Sequence, residues 1–167
     1  MAKTGLVPPD VRFLMSHPAH FIALGFGSGV APKAPGTFGS LAAIPLFALM
    51  VWLWPPIVIL SLTGVVFLIG WWAADKTGHD LGVHDHGAIV IDEIVAMWLV
   101  LLAVPVNLFW WLAAFALFRL FDIWKPWPIR WFDAKVPGGL GVMLDDLLAA
   151  LYAVIVLVLG VYLKSVV

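Results

Sequence analysis

No Asp, Glu, Lys or Arg occurs from Ala34 to Ala74, from Ile94 to Phe118 or from Leu147 to Leu163. Charge-free runs of this length leave few folds open. A soluble domain would need polar groups on the outer faces of such segments, and a soluble chain carries about 25% charged residues. This chain carries 11%, with 63% hydrophobic residues and a mean hydropathy of +1.06. The runs therefore read as membrane spans and the chain as an integral membrane protein.

The first run is too long for one span. "WPP" at 54–56 divides it, because consecutive prolines break a helix, and "VPVN" at 104–107 divides the second. The expected fold class is all-α, a polytopic membrane helical bundle of about five apolar helices. They fall near 41–54, 57–74, 88–104, 108–124 and 146–163, after a shorter amphipathic helix near 10–24. Residues 1–167 read as a single domain, with 1–24 an interfacial segment and 25–163 the helical core. Several runs, at about 1.5 Å per residue, fall short of the roughly 30 Å hydrocarbon core, so local thinning or partial insertion is expected. The first twenty residues lack the basic patch, apolar core and small-residue site of a cleavable signal peptide.

Threading these helices alternately places the N-terminal segment, the 75–93 loop and the 119–146 loop on one side. Eight of the nine Lys and Arg and all ten acids then share that side. The positive-inside rule makes it cytoplasmic. Tryptophans agree: Trp52, Trp54, Trp110 and Trp111 fall at the outer ends, and Trp71, Trp72, Trp124, Trp127 and Trp131 at the inner ends. Acids contribute little to topology, so their crowding needs another reason. Solubility of loops is the bland one; a polar site at the membrane surface is the sharper one.

Four stretches carry that site. "HDHGAIVIDEIVAMW" puts Asp92 and Glu93 early in the third apolar helix, where one acid complements the helix dipole and two are harder to explain. "FRLFDIWKPWP" sets Arg119, Asp122 and Lys125 on one stripe at the end of the fourth, readable as a ladder of ion pairs or as part of a cleft. "GGLGVMLDDLLAAL" brings Asp145 and Asp146 to the expected start of the last helix, one of them as a cap or first-turn acid. Together they suit a divalent cation with oxygen ligands. "GFGSGVAPKAPGTFGSLAA" is neither a Walker A loop nor a dinucleotide fingerprint. In it Ser40 reads as an N-cap, and Thr37 and Ser40 sit at a positive helix end that attracts phosphate. The chain has no cysteine, so thiolate metal sites and cysteine nucleophiles are excluded. With many carboxylates the site is hard and suits Mg²⁺, with His84 and His86 around it rather than on the ion. The net charge of -1 gives no basic patch for nucleic acid.

Taken in chain order, from "GFGSGVAPKAPGTFGSLAA" through the Asp92-Glu93 and Arg119 stretches to "GGLGVMLDDLLAAL", these four words cover about Ala23 to Ala150 and resemble the phosphatidylglycerophosphatase A family of bacterial membrane lipid phosphatases. The resemblance implies Mg²⁺-dependent removal of the terminal phosphate from phosphatidylglycerophosphate, giving phosphatidylglycerol. It implies a multi-pass protein of the bacterial cytoplasmic (inner) membrane with its site on the cytoplasmic face and membrane lipids as neighbours. Carried over by motif, the polar positions are Thr37, Asp80, Asp92, Glu93, Arg119, Asp122, Lys125, Pro126, Asp145 and Asp146. The expected assignment is Asp92, Glu93, Asp122 and Asp146 at the chemistry, joined by Asp145 as metal ligands. Thr37, Ser40, Arg119, Lys125 and Arg130 are expected on the phosphate, and Asp80, His84 and His86 in support. The family often has Gly where Ala96 stands here.

Two rivals are weaker. An alcohol phosphatidyltransferase also uses membrane Asp clusters and Mg²⁺, but its D-x-x-D-G-x-x-A-R core is absent. A small transporter normally holds ionisable groups near mid-membrane, whereas here they sit at one end of every span.

Overall fold

The computed structural model describes residues 9–83 and 85–166. They form α1 (Val11–Ser16), α2 (Pro18–Ala23), a 3₁₀ segment (Gly25–Val30), α3 (Pro35–Leu53), α4 (Pro56–Leu81), α5 (Ile91–Leu102), α6 (Leu108–Trp124), α7 (Ile129–Lys135) and α8 (Gly138–Val166). No strand occurs among the described residues. The all-helical class holds. Three helices, α3, α4 and α8, are long and apolar enough to cross a membrane. The expected count of about five spans is not reached on that measure. α5 has 12 residues and α6 has 17, so they are about 18 and 26 Å long, short of a hydrocarbon core of roughly 30 Å.

Several boundaries differ from the sequence expectation for identifiable reasons. α3 starts at Pro35 rather than 41, because Pro at a first helical position already has the helical φ and no N–H to satisfy. α4 runs past 74 to Leu81 and stops at Gly82, whose φ of 69° forms a left-handed cap. Asp75, Lys76 and Asp80 are therefore helical, not loop. The N-terminal amphipathic stretch is two helices, because Pro18 starts a new one with the His17 side chain as its cap. α7 was not expected. α8 starts at Gly138 rather than 146, so Asp145 and Asp146 lie inside it and neither is a cap or first-turn acid.

α5 is the hub. It packs on α3, α4, α6 and α8, and Ile91, Ile94, Met97, Val100 and Leu101 are buried. A helix apolar all round must be enclosed by others. Trp98, mid-helix in the core, donates its indole N–H to the Ala43 carbonyl at 3.1 Å, which satisfies it away from water. α4 and α8 touch backbone to backbone: a Cβ on Gly139 would run into Trp71 O and Asp75 N. Small residues permit that approach between membrane helices. The outer faces stay apolar and exposed, with Trp52, Leu60, Leu68 and Leu159 among them, as a lipid-facing surface requires. The result is a bundle in which α3, α5 and α8 begin where α4 and α6 end.

Candidate active site

That shared end gathers the acids. Asp92 and Glu93 open α5, and Asp146 comes from α8. One carboxylate oxygen of each lies within 4.8 Å of the others. Asp92 and Asp146 are buried, at 8% and 3% exposed. Asp92 Oδ1, Glu93 Oε2 and Asp146 Oδ2 are buried with no hydrogen-bond partner. Removing an ionised carboxylate from water costs several kcal/mol unless it is paired, and three together also repel one another. A cluster of oxygens of that kind fits a hard divalent cation, which would supply the missing charge and accept the orphaned oxygens.

α6 delivers the counter-charge. Arg119 Nη1 pairs with Asp122 one turn on, and lies 3.7 Å from Glu93 Oε1. Its Nε is buried without a partner, so the guanidinium has donor capacity left. Asp122 of α6 also faces Asp146 of α8. Lys125, in the left-handed conformation that ends α6, donates to Asp133 at 3.0 Å and to Asp145. Burial works against the Lys125 charge, but Asp145 and Asp133 outweigh it and hold its pKa above the ordinary lysine range. Asp145 also accepts from the Asp146 N–H at 3.0 Å. It is thus engaged by protein groups and stands outside the unpartnered trio.

α3 closes the site. A Cβ on Gly36 would collide with Glu93 Oε1 and come within 3.2 Å of Arg119 Nη1. The first turn of α3 is thus in contact with the acids, and no side chain caps it. Thr37 sits in that turn, half-buried, its N–H bonded to Ala34 O at 3.0 Å. Ser40 is not an N-cap. It is one turn inside the helix and donates to Gly36 O at 2.9 Å, so its hydroxyl is spent.

Three expected positions lie elsewhere. Asp80 pairs with His20 at 2.7 Å, with Lys76 and with His79 at 3.6 Å, in a separate network joining α2 to α4. Arg130 is exposed and lines a surface groove with Lys125, Trp124, Trp127 and Trp131, away from the unpartnered carboxylates. His86 Nδ1 accepts from the Ala88 N–H at 3.2 Å and so shapes its own loop. His84 lies outside the described residues. Sequence reading missed Gly36, and "APGTFGS" held its only signal: a glycine beside the helix start, where close approach has to be allowed.

The chain resembles known proteins over most of its length. Residues 21–161 match the family described as phosphatidylglycerophosphatase A. The chain is 51% identical over 140 residues to the phosphatidylglycerophosphatase A of Escherichia coli (strain K12), covering 83% of this chain and 80% of that protein. It is 50% identical over 149 residues to the one from Haemophilus influenzae, covering 89% and 91%. A Bacteroides thetaiotaomicron relative, 43% identical over 143 residues, is named provisionally as a phosphatidylinositol-3-phosphatase. No solved structure matches the chain. Four motifs in order, a helical bundle with one charged end and two relatives at half identity over most of their length converge: the chain belongs to the phosphatidylglycerophosphatase A family and is a phosphatase acting on a lipid.

Proposed function

We propose that the protein removes the terminal phosphate monoester of phosphatidylglycerophosphate, with Mg²⁺ held by Asp92, Glu93 and Asp146, at the cytoplasmic face of the bacterial inner membrane. The observation that carries the reading is the trio of buried, unpartnered carboxylate oxygens beside Arg119. Alone they would repel a phosphate. Asp92, Glu93 and Asp146 would hold Mg²⁺ there, and the bound ion would supply the opposite charge and Lewis acidity toward a phosphoryl oxygen or water.

The chain's own groups do the rest. Arg119 offers a planar set of donors to the phosphoryl oxygens, and Asp122 fixes its orientation while Glu93 flanks it. The uncapped first turn of α3, with Thr37, adds positive dipole and a hydroxyl beside them. Lys125 neutralises Asp145 and keeps that carboxylate from joining the repulsion. Arg130 and its tryptophan neighbours lie where the lipid headgroup meets the interface, which suits them to the diester part of the lipid more than to the departing phosphate.

The cytoplasmic assignment rests on the positive-inside rule applied to the charged end. Single cysteines at Gly87 and Ala134, both exposed, should label from inside, and one at Val106 from outside.

The direct test is phosphate release by the purified protein from phosphatidylglycerophosphate and from phosphatidylinositol 3-phosphate, with and without EDTA. Release from the first lipid, lost on chelation and restored by Mg²⁺, is expected. Undiminished release in EDTA would remove the metal, and preference for the second lipid would replace the substrate.

A further inference from the structure

An apolar groove runs along the membrane-facing side of the bundle between α4, α5 and α8. One part, about 200 Å³, is lined by Gly64 and Phe67 of α4 and Val95 of α5. The other, about 280 Å³, is lined by Ala150, Leu151 and Val154 of α8. Leu99 and Leu147 border both, so the two are adjacent. The hydroxyl of Thr63, which also borders the groove, is spent on Ile59 O at 2.8 Å.

The groove is in register with the carboxylate site. On α5, Asp92, Val95 and Leu99 follow the three-then-four spacing of one helical stripe. On α8, Asp146 and Ala150 share a face, and Leu147 is the next residue. The groove therefore starts about one turn from the acids and leads away from the charged end. Gly64 is the second observation. Small residues in membrane helices usually mark close helix contact. Gly70 does, with Ile91 and Met143 at 3.1 and 3.2 Å from a Cβ built there. A Cβ on Gly64 would meet nothing within 4 Å, so packing does not account for it.

We propose that this groove seats an acyl chain of the lipid whose phosphate is hydrolysed, and that Gly64 keeps the seat open. The proposal rests on the lipid-phosphatase reading. Its occupant is set by chemistry: hydrocarbon walls, a position within the spans and an upper end beside the phosphate site match a molecule with phosphate at its head and a long tail. A bulk lipid would need no register with Asp92.

In Gly64→Leu the added Cβ meets nothing within 4 Å and the rest of the side chain extends into the groove, so the variant should fold. With dipalmitoyl phosphatidylglycerophosphate its kcat/KM should fall about tenfold. With the dihexanoyl lipid, too short to reach along the groove, it should stay within about twofold of the parent. Equal losses on both lipids, or none on either, would overturn the seat. A second measurement uses the unaltered protein and needs no turnover. A long-chain phosphatidylglycerophosphate with a diazirine in its chain should label peptides holding Leu99 and Leu147. Unlabelled phosphatidylglycerophosphate should suppress that labelling and phosphatidylethanolamine should not. Equal suppression by both lipids means ordinary bilayer contact and also overturns it. If the unaltered protein releases phosphate from neither lipid, the phosphatase reading fails by itself, and labelling still decides the groove.

Discussion

Two polar networks sit at the same end of the bundle and are built on opposite principles. In the one joining α2 to α4, groups have partners: His20 Nε2 meets Asp80 at 2.7 Å, its Nδ1 lies 2.9 Å from Ser16 Oγ, and Lys76 donates to Asp80. His20 also stacks on Phe13, with ring centroids 4.1 Å apart. In the network of α5, α6 and α8, Asp92, Glu93, Asp146 and Arg119 each leave a buried atom without a partner. A satisfied network holds elements together; an unsatisfied one in the interior costs stability and persists where a ligand completes it. Burial alone does not separate the two, since His20 is as buried as Asp146. Satisfaction does.

The largest effects should come from breaking the unsatisfied network. Asp92→Asn and Asp146→Asn should each lower turnover by about 100-fold or more, the lower end of what a catalytic group contributes, and raise the Mg²⁺ requirement. The proteins should stay folded, because an amide of the same shape relieves repulsion among buried acids. Near-normal turnover at limiting Mg²⁺ would make the two networks equivalent. The same contrast has a readout that needs no substrate. At about 100 times its dissociation constant a ligand of the folded state adds about 2.7 kcal/mol. Mg²⁺ should accordingly raise the Tm of the parent and raise that of Asp146→Asn much less.

Arg119→Lys comes next. Lysine keeps the charge and loses the planar fork. kcat/KM should fall about tenfold with the Mg²⁺ dependence unchanged, read from steady-state rates across a Mg²⁺ titration. If Arg119 only neutralised Asp122, little would change. A Mg²⁺ dependence that moves as it does in Asp146→Asn would place Arg119 in support of the metal instead.

The sequence showed the ends of this comparison better than its middle. Gaps between charges located the apolar helices, and residue type with motif position pointed to Asp92, Glu93, Asp122, Asp145, Asp146 and Arg119 alike. Partnership was invisible. Asp80 and Asp145 look as available in the chain as Asp146, yet His20 is sixty positions from Asp80 in sequence, and a tertiary contact of that range leaves no local signal. The glycines misled for a related reason. "GGLG" lies ahead of the expected start of the last helix, but Gly139 is helical and small because the α4 backbone lies against it. Gly36 is small because Glu93 and Arg119 need the space. Charged residues also misled: Asp75 to Asp80 ended the apolar run without ending the helix, since a helix outlasts the span until a cap such as Gly82 stops it.

The smallest effect on chemistry should come from the satisfied network, and it is the control that gives the comparison meaning. Asp80→Asn keeps the shape of the side chain and removes the charge facing His20 and Lys76. The Lys76 side is half-exposed, at 41%, and such pairs contribute little. The His20 side is sheltered, at 6%, so the loss should be about 1 kcal/mol, the scale of one net hydrogen bond. For a chain of this size that lowers Tm by about 2–4 °C. Turnover and Mg²⁺ dependence should stay within about twofold of the parent, because no member of this network reaches the carboxylate trio. A scan of Tm beside an assay of phosphate release across a Mg²⁺ titration reads both. Should Asp80→Asn instead cut turnover by tenfold or more with Tm unchanged, Asp80 belongs with the catalytic groups. Hydrogen-bond satisfaction would then no longer separate the structural acids of this bundle from the working ones.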